Sequence, residues 1–452
     1  MTPEIGVVGD SMIDQYYSVK IKKISPEFPI PVMHSSNDEC KICPGGAANV
    51  AHQFLHFDVD VKLISFLDEE AEKEFNKKRI NTENCLIIKN KIPRKKRFYS
   101  DNFPTYRWDV EDQLYGLKED LNNKCKELYL KNQNKIKELD AVIFSDYDKG
   151  VFIGPDNLSN FIKHSKISVV DSKTSDVDRW FGCTVFKPNL SESFIISGKN
   201  DPIEAGKWIK SRIRCKYVVI TNAEKGVFII GGDNNNHWSK TIEPDHKFSQ
   251  AQSVIGAGDC FTAMLTLQLV KGSSIEDSVD FAWRAGLNYV KNKFNYPVCE
   301  SDLVKNKYIK NPKILSKRNF KLVFTNGVYD ILHAGHIELL RFAKSKGDKL
   351  VVAVNSDEST SNIKKDRPIV GLEDRIKLLS SLEFVDFIVS FDENTPLEII
   401  KEIKPDVLVK GSEYFKENIV GSDIVPETIT CTMLEGRSTT NIIKKIKGEN
   451  HD

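Results

Sequence analysis

The chain has no surplus charge of either sign: across 452 residues, 65 Lys and Arg stand against 64 Asp and Glu, a formal net charge of +1. Wholesale binding to nucleic acid or to an anionic membrane needs a single-signed field, so neither partner is expected. The nine cysteines form no pattern. Cys40-Lys-Ile-Cys43 has no second CxxC to complete a four-thiolate zinc site, and the others are scattered singly, so neither a protein-held metal nor a disulfide framework is expected. They read as reduced thiols in a cytosol. Long apolar runs are missing as well, none approaching the roughly 18 residues of a membrane span. The N-terminus enters Ile5-Gly-Val-Val-Gly9 directly, without the basic and apolar regions of an export signal. A soluble, cytoplasmic protein is the expectation. No internal repeat is visible, and the polar Gly231-Gly-Asp-Asn-Asn-Asn236 reads as a hairpin tip.

What is present is a length too great for one ordinary core, which argues for two domains, and short apolar runs alternating with amphipathic segments. Ala141-Val-Ile-Phe144, Ser168-Val-Val170, Tyr217-Val-Val-Ile220 and Val227-Phe-Ile-Ile230 are spaced as strands with crossovers, the last two close enough for a hairpin. The fold class is therefore α/β, with mostly parallel sheets. From Glu300 to Arg318 the pattern fades into Lys-, Asn- and Pro-containing sequence, and a fresh strand starts at Lys321-Leu-Val-Phe324. The expected division is a domain over 1–305, a linker over 306–319 and a second domain over 320–452.

Each domain carries one segment suited to phosphate. In Gly256-Ala-Gly-Asp259, small residues before the apolar Phe261-Thr-Ala-Met-Leu265 let backbone N–H groups approach an anion at a helix N-terminus. Asp259 beside that anion could take the proton from a hydroxyl attacking a phosphoryl group. Four residues alone fit a Gly-rich helix start equally well. Other segments decide between the two: Val7-Val-Gly-Asp10-Ser-Met-Ile-Asp14, Ser25-Pro-Glu-Phe-Pro-Ile-Pro-Val32, Pro44-Gly-Gly46-Ala-Ala-Asn49, Ser145-Asp-Tyr-Asp-Lys149-Gly150 and Lys187-Pro-Asn189-Leu-Ser-Glu192. With Gly256–Asp259, these resemble the ribokinase-like sugar kinases from residue 1 to about 300. The Ser25–Val32 stretch looks like the kinase half of the bifunctional heptose 7-phosphate kinase/heptose 1-phosphate adenylyltransferases. The resemblance implies that Asp14, Gly45, Gly46 and Asn49 hold the sugar, that Asn189 and Glu192 organise Mg2+–ATP with Gly256 and Gly258, and that Asp259 is the catalytic base. Lys95, Lys96, Arg97 and Arg107 are candidates for the sugar's 7-phosphate or are solvated surface. Two departures weaken the match: Ser253 and Ile255 replace the family's Asp and Thr upstream of the Gly-rich turn, and Asp171-Ser-Lys-Thr174 replaces Asp-Pro-Lys-Gly.

In the second domain, Leu322-Val-Phe-Thr-Asn-Gly-Val-Tyr-Asp330 gives a strand and turn, and His333-Ala-Gly-His336 opens an amphipathic helix before the strand Leu350-Val-Val-Ala-Val354. In such a βαβ unit a ligand sits at the carboxyl end of the strands, and histidines at i and i+3 can both face a phosphate at the helix N-terminus. Metal binding would need a third ligand besides Asp330, and no HExxH pattern occurs. HxGH resembles the nucleotidyltransferases that activate phosphorylated small molecules, from about Lys321 to Lys447. Ser438-Thr-Thr-Asn-Ile-Ile443 looks like the adenylyltransferase half of the same bifunctional family. That likeness implies His333 and His336 at the α- and β-phosphates. It also implies ATP contacts from Asn326, Gly327, Asp330, Lys364, Arg367, Arg375, Ser438 and Thr439. Gly411-Ser-Glu-Tyr414 in place of Gly-Gly-Asp-Tyr, and a basic loop at Lys364-Lys365-Asp-Arg367 one residue short, depart from the family pattern.

The expectation is thus a ribokinase-like N-terminal domain joined to a Rossmann-like HxGH nucleotidyltransferase. The first phosphorylates D-glycero-D-manno-heptose 7-phosphate at O1 with Mg2+–ATP, and the second joins heptose 1-phosphate to AMP with release of pyrophosphate. A separate phosphatase must act between them, and a homodimer is expected. The competing readings are an adenylyltransferase whose degenerate kinase half is a scaffold or sugar-phosphate sensor, and a cytidylyltransferase acting on a polyol phosphate.

Overall fold

A computed structural model describes residues 2–35, 40–100, 103–111, 118–152, 161–233, 236–243, 254–291, 295–304, 306–364, 366–412, 419–432 and 442. The chain divides into two units, Met1–Val298 and Cys299–Asp452.

The first unit is built on an eight-stranded sheet. From edge to edge it runs Asn236–Ile242, Val227–Asp233, Tyr217–Thr221, Val185–Phe186, Ser168–Ser172, Ala141–Asp146, Glu4–Gly9 and Asp60–Ile64. The central strands pair in parallel. Ala141–Asp146 is buried at every position, as a strand covered on both faces requires. Tyr217–Thr221 and Val227–Asp233 pair antiparallel, the hairpin their spacing predicts.

A second, four-stranded sheet of Phe103–Val110, Arg94–Ser100, Ser11–Ser18 and Cys40–Gly46 carries polar chemistry. Arg94–Ser100 lies parallel to Ser11–Ser18, with Asp14 opposite Lys95 and Tyr16 opposite Arg97. Successive side chains of a strand face opposite ways, so Lys95 and Arg97 share a face and Lys96 takes the other. There Lys96 lies over the Trp108 ring, 4.5 Å from its centroid. The helix Ala257–Val270 is buried from Asp259 to Leu267 without a break, which explains its continuous run of small and apolar residues. Its N-cap, Gly256, has φ 80°, and a Cβ there would stand 2.3 Å from the Tyr289 hydroxyl and 2.6 Å from Asn49 Nδ2. Only glycine meets both demands.

The second unit holds a five-stranded parallel sheet in the order Phe387–Phe391, Lys349–Asn355, Leu322–Gly327, Val407–Gly411, Glu427–Cys431. One apolar cluster, including Leu322, Phe324 and Leu408, packs on one face, and another, including Val323, Leu340 and Val352, on the other. The strand order reverses between Leu322–Gly327 and Val407–Gly411, the position where open parallel sheets bind ligands. Residues 306–319, read from sequence as a linker, are built into this unit. Ile309 and Leu315 are buried in its core, and the Ile309 N–H donates to the Ile388 carbonyl at 2.8 Å. The polar residues that make the segment look like a connection sit between these apolar anchors.

Candidate active sites

In the first unit the site forms where the helix Ala257–Val270 points its N-terminus at the ends of the central strands. Asp259, in the first turn, is almost completely buried. One carboxylate oxygen accepts from Asn49 Nδ2 at 2.7 Å and the other from the Tyr147 hydroxyl at 2.6 Å. Burial outweighs these two donors and pushes its pKa up from 3.8 to about 6. The group is thereby poised to accept a proton near neutrality, as a general base must be.

Asp259 opens onto a cavity of about 530 Å3. Its lining includes the polar Tyr147, Asp171, Lys173 and Lys187 and the apolar Val254, Phe261, Trp283, Leu287 and Val290. Lys187 Nζ stands 2.9 Å and Lys173 Nζ 3.5 Å from the Asp171 carboxylate. For Asp171, burial raises the pKa, but the two lysines more than offset it and hold the carboxyl at about 2. Lys173 also pairs with Glu192 at 2.8 Å. A buried ammonium, Lys187, and a more accessible one, Lys173, near a helix N-terminus in a partly apolar cavity are a device for binding a polyphosphate.

The structure distributes the sequence candidates unevenly. Asp14 is buried and clamped, with Arg97 at 2.6 Å on one oxygen and Asn295 Nδ2 at 2.8 Å on the other. Gly45 lies against it: a Cβ there would stand 2.9 Å from the Asp14 carboxylate, while one on Gly46 (φ 57°) would stand 2.2 Å from the Asp10 carbonyl. Asn49 belongs to the Asp259 network and accepts from Gln53 at 3.1 Å. Asn189 and Glu192 form a capping box on the helix Leu190–Ser197, so both side chains are engaged in the fold, although Asn189 also lines the cavity. Arg107 lies on an exposed strand and is paired with Asp109 at 2.7 Å. Lys95 is the more inward cation of the same sheet. It lies over the Tyr147 ring, 5.4 Å from the centroid, and its pKa is lowered by burial. Ser253 lies outside the described residues.

In the second unit His333 caps the helix Ala334–Lys344, and His336 follows in its first turn. The two rings stack with centroids 3.8 Å apart. Burial, then the neighbouring His333 and Lys364, lowers the His336 pKa to about 4, and burial lowers His333. Both are therefore neutral at pH 7, able to donate a hydrogen bond without carrying charge. The Nδ1 atoms of both are buried and have no hydrogen-bond partner among the described residues.

A cavity of about 330 Å3 gathers Asn326, Gly327, Asp330, His336, Lys364 and Arg367, all of them named from sequence. Asp330 accepts from Arg367 Nη1 and from the N–H groups of Ile369 and Val370, the latter two at 2.8 Å, so it fixes the basic loop from below. Arg375, expected at the nucleotide, is placed differently. Its guanidinium is fully buried and donates to the carbonyls of Val370, Val328 and Asn355 and to the Asp357 carboxylate. It ties the loop to the strand ends. Lys365, Ser438 and Thr439 lie outside the described residues.

Sequence reading passed over Tyr147, Asp171, Lys187, Asn295 and Lys410 as site residues. Tyr147, Asp171 and Lys187 fall within segments already set beside the family pattern and Lys410 directly precedes one, which was the available signal.

Two units, one with a buried base at an anion-binding helix start and the other with a neutral histidine pair over a parallel sheet, define a small-molecule kinase joined to a nucleotidyltransferase. Residues 3–293 match the pfkB family carbohydrate kinase model, and 324–445 the cytidylyltransferase-like model. The chain belongs to the family of the bifunctional protein HldE. It is 34% identical to HldE of a Nitratiruptor species over 479 residues, spanning 99% of this chain and 100% of that one. It is also 34% identical to HldE of Campylobacter fetus over 469 residues, spanning 98% and 99%. Among solved structures, phosphofructokinase-2 from Escherichia coli in complex with potassium aligns with a TM-score of 0.52 at 17% identity, covering 67% of this chain and 97% of that one. That likeness establishes the kinase fold. Among the described residues no helix is long and apolar enough to cross a membrane.

Proposed function

We propose that the chain performs two steps of ADP-heptose synthesis. The first unit phosphorylates D-glycero-D-manno-heptose 7-phosphate at O1, and the second adenylylates heptose 1-phosphate. The observation that carries the kinase step is Asp259, a buried carboxylate with its pKa near 6, facing a cavity that also holds Lys173 and Lys187.

In the first step Asp259 takes the proton of the O1 hydroxyl as that oxygen bonds to the γ-phosphorus of ATP, and the bond to the β-phosphate oxygen breaks to release ADP. The N-terminus of the helix Ala257–Val270, with Lys173 and Lys187, meets the charge on the transferring group. The apolar lining, Trp283 included, is assigned to the base. Asp14, held by Arg97 and Asn295, receives sugar hydroxyls, and Lys95 is the cation best placed for the 7-phosphate. Arg107, exposed and paired, is left a peripheral role. Mg2+ enters with ATP and would neutralise its phosphate oxygens. Asp171 fits this ion, because its Oδ1 is buried without a hydrogen-bond donor, the Lys173 ammonium standing 3.5 Å away.

In the second step an oxygen of the sugar 1-phosphate, already anionic, bonds to the α-phosphorus of ATP and pyrophosphate leaves, so no strong base is required. His333 and His336 donate to the phosphates, and Lys364 and Arg367 close on the triphosphate. Asn326, Gly327 and Asp330 shape the floor, and Ser438 and Thr439 are assigned further oxygens by the family pattern. The 7-phosphate must be removed between the steps, so a separate phosphatase is part of the proposal. A homodimer is proposed on the exposed aromatic strand that includes Tyr106 and Trp108. Sedimentation velocity tests it, with a monomer at micromolar concentration as the contrary result.

Phosphorus NMR of the products tests the function. The chain with ATP and heptose 7-phosphate should give a 1,7-bisphosphate, and with ATP and heptose 1-phosphate it should give ADP-heptose. Absence of the bisphosphate would reduce the first unit to a scaffold.

A further inference from the structure

The transferase cavity holds a cation that the function above does not use. Lys410 lies near the end of the strand Val407–Gly411, which pairs with Leu322–Gly327 on the side away from Lys349–Asn355. It therefore stands where the strand order reverses. Its ammonium donates to the Asn326 carbonyl at 3.1 Å, which fixes it against the end of the central strand. It lines the same cavity as His336, Lys364 and Arg367. Burial lowers its pKa to about 8, so the fold keeps a poorly hydrated ammonium at a position where an arriving phosphate dianion would stabilise it.

The cations of this cavity divide by origin. Lys364 and Arg367 follow the helix Asp357–Ile363, beyond the strand Lys349–Asn355, and Arg367 is already matched by Asp330. The histidine pair is neutral. Lys410 comes from the opposite side of the central strand. Two phosphorylated substrates must meet in this cavity, and the attacking phosphate must approach the α-phosphorus from the side opposite the departing pyrophosphate. The histidine helix and the Lys364–Arg367 segment serve the triphosphate. We propose that Lys410 binds the phosphate of the sugar 1-phosphate and holds it in line with the α-phosphorus of ATP. The sugar phosphate oxygen forms the new bond to phosphorus, the bond to the β-phosphate oxygen breaks, and its electron pair leaves with pyrophosphate. Lys410 gives up no proton and screens one anion from the other.

The inference rests on the adenylyltransferase reading, and the test separates the two. Pyrophosphate release by the full chain is measured for the wild type, Lys410→Met and Lys410→Gln, with ATP binding by calorimetry as the check on the site. Loss of a charge-assisted contact is expected to raise KM for heptose 1-phosphate roughly 10–100-fold in both variants. KM for ATP and the ATP affinity should stay within about three-fold, the range left when a contact serves only the other substrate. Gln keeps a donor for the Asn326 carbonyl but not the charge. Recovery of wild-type KM for the sugar by Gln would make Lys410 structural and overturn the proposal, as would a rise in KM for ATP equal to that for the sugar, or loss of ATP binding by both variants. Failure of the wild type to release pyrophosphate would instead remove the adenylyltransferase reading itself.

Discussion

Replacing Asp259 with Asn should destroy the kinase while making its unit more stable. The carboxylate is buried, and its pKa rises from 3.8 to about 6, chiefly because burial disfavours the charge. Between those values the folded chain binds a proton that the unfolded chain has lost. Stability from this group is therefore fully present below 3.8 and is lost as pH rises through about 6. At pH 7.5 the ionised group costs roughly 3 kcal/mol, as an upper figure, and near pH 4 well under about 1 kcal/mol. Asparagine removes the charge and can keep both contacts: its oxygen accepts from Asn49, and its amide donates to the Tyr147 oxygen once that hydroxyl turns. The expected gain at pH 7.5 is roughly 1–3 kcal/mol after allowance for that reorientation. It should shrink as pH falls through 6 toward 4. Asp10 and Asp146, whose pKa values are also raised by burial, titrate equally in both proteins and drop out of the comparison. Thermal unfolding of the kinase unit across this pH range gives the difference, and ADP release gives the activity, expected to fall by roughly 10²–10⁴-fold. A variant less stable at pH 7.5, or a stability difference that does not change with pH, would refute the reasoning.

Other changes test neighbouring parts of the account. Tyr147→Phe removes a donor that favours the ionised form of Asp259, so the acid limb of the kinase pH profile should move upward from about 6; an unmoved limb would separate the two groups. Asn189→Ala should cost the first unit about 1 kcal/mol, the usual worth of an N-cap, read as a lower denaturation midpoint. Arg375→Met removes one donor from the Asp357 carboxylate and one from each of three carbonyls. It should destabilise the second unit by roughly 1–3 kcal/mol, the cost of carbonyls that lose a donor, because the half-exposed Asp357 carboxylate stays solvated and keeps the Leu372 N–H at 3.2 Å. At low temperature KM for ATP should change little, because Arg375 acts through the loop; a large selective rise in KM would return it to the nucleotide.

What could be read from sequence was the chemistry carried by contiguous residues. Asp259 follows its glycines, His336 lies three residues from His333, and both could be placed because a helix N-terminus is a local object. The alternation of apolar runs likewise disclosed the parallel strands of both large sheets and the antiparallel hairpin of the first. Contacts between distant segments were not legible. Tyr147 reaches Asp259 across 112 positions, Lys410 reaches Asn326 across 84, and Asn295 reaches Asp14 across 281. The partners of Arg375 were not legible for a physical reason: a guanidinium with five donors serves a phosphate or a set of carbonyls equally well, and sequence does not show its burial. Residues 306–319 misled because composition averages over Ile309 and Leu315, the positions that anchor the segment.

The most direct test of the central claim, two independent active sites in one chain, is a paired assay of Asp259→Asn and His336→Ala. ADP release from ATP and heptose 7-phosphate is measured beside pyrophosphate release from ATP and heptose 1-phosphate. Each variant should lose one activity and keep the other near the wild-type rate. Wild-type chain that releases pyrophosphate but no ADP, or an Asp259→Asn variant that still phosphorylates the sugar, would contradict the account.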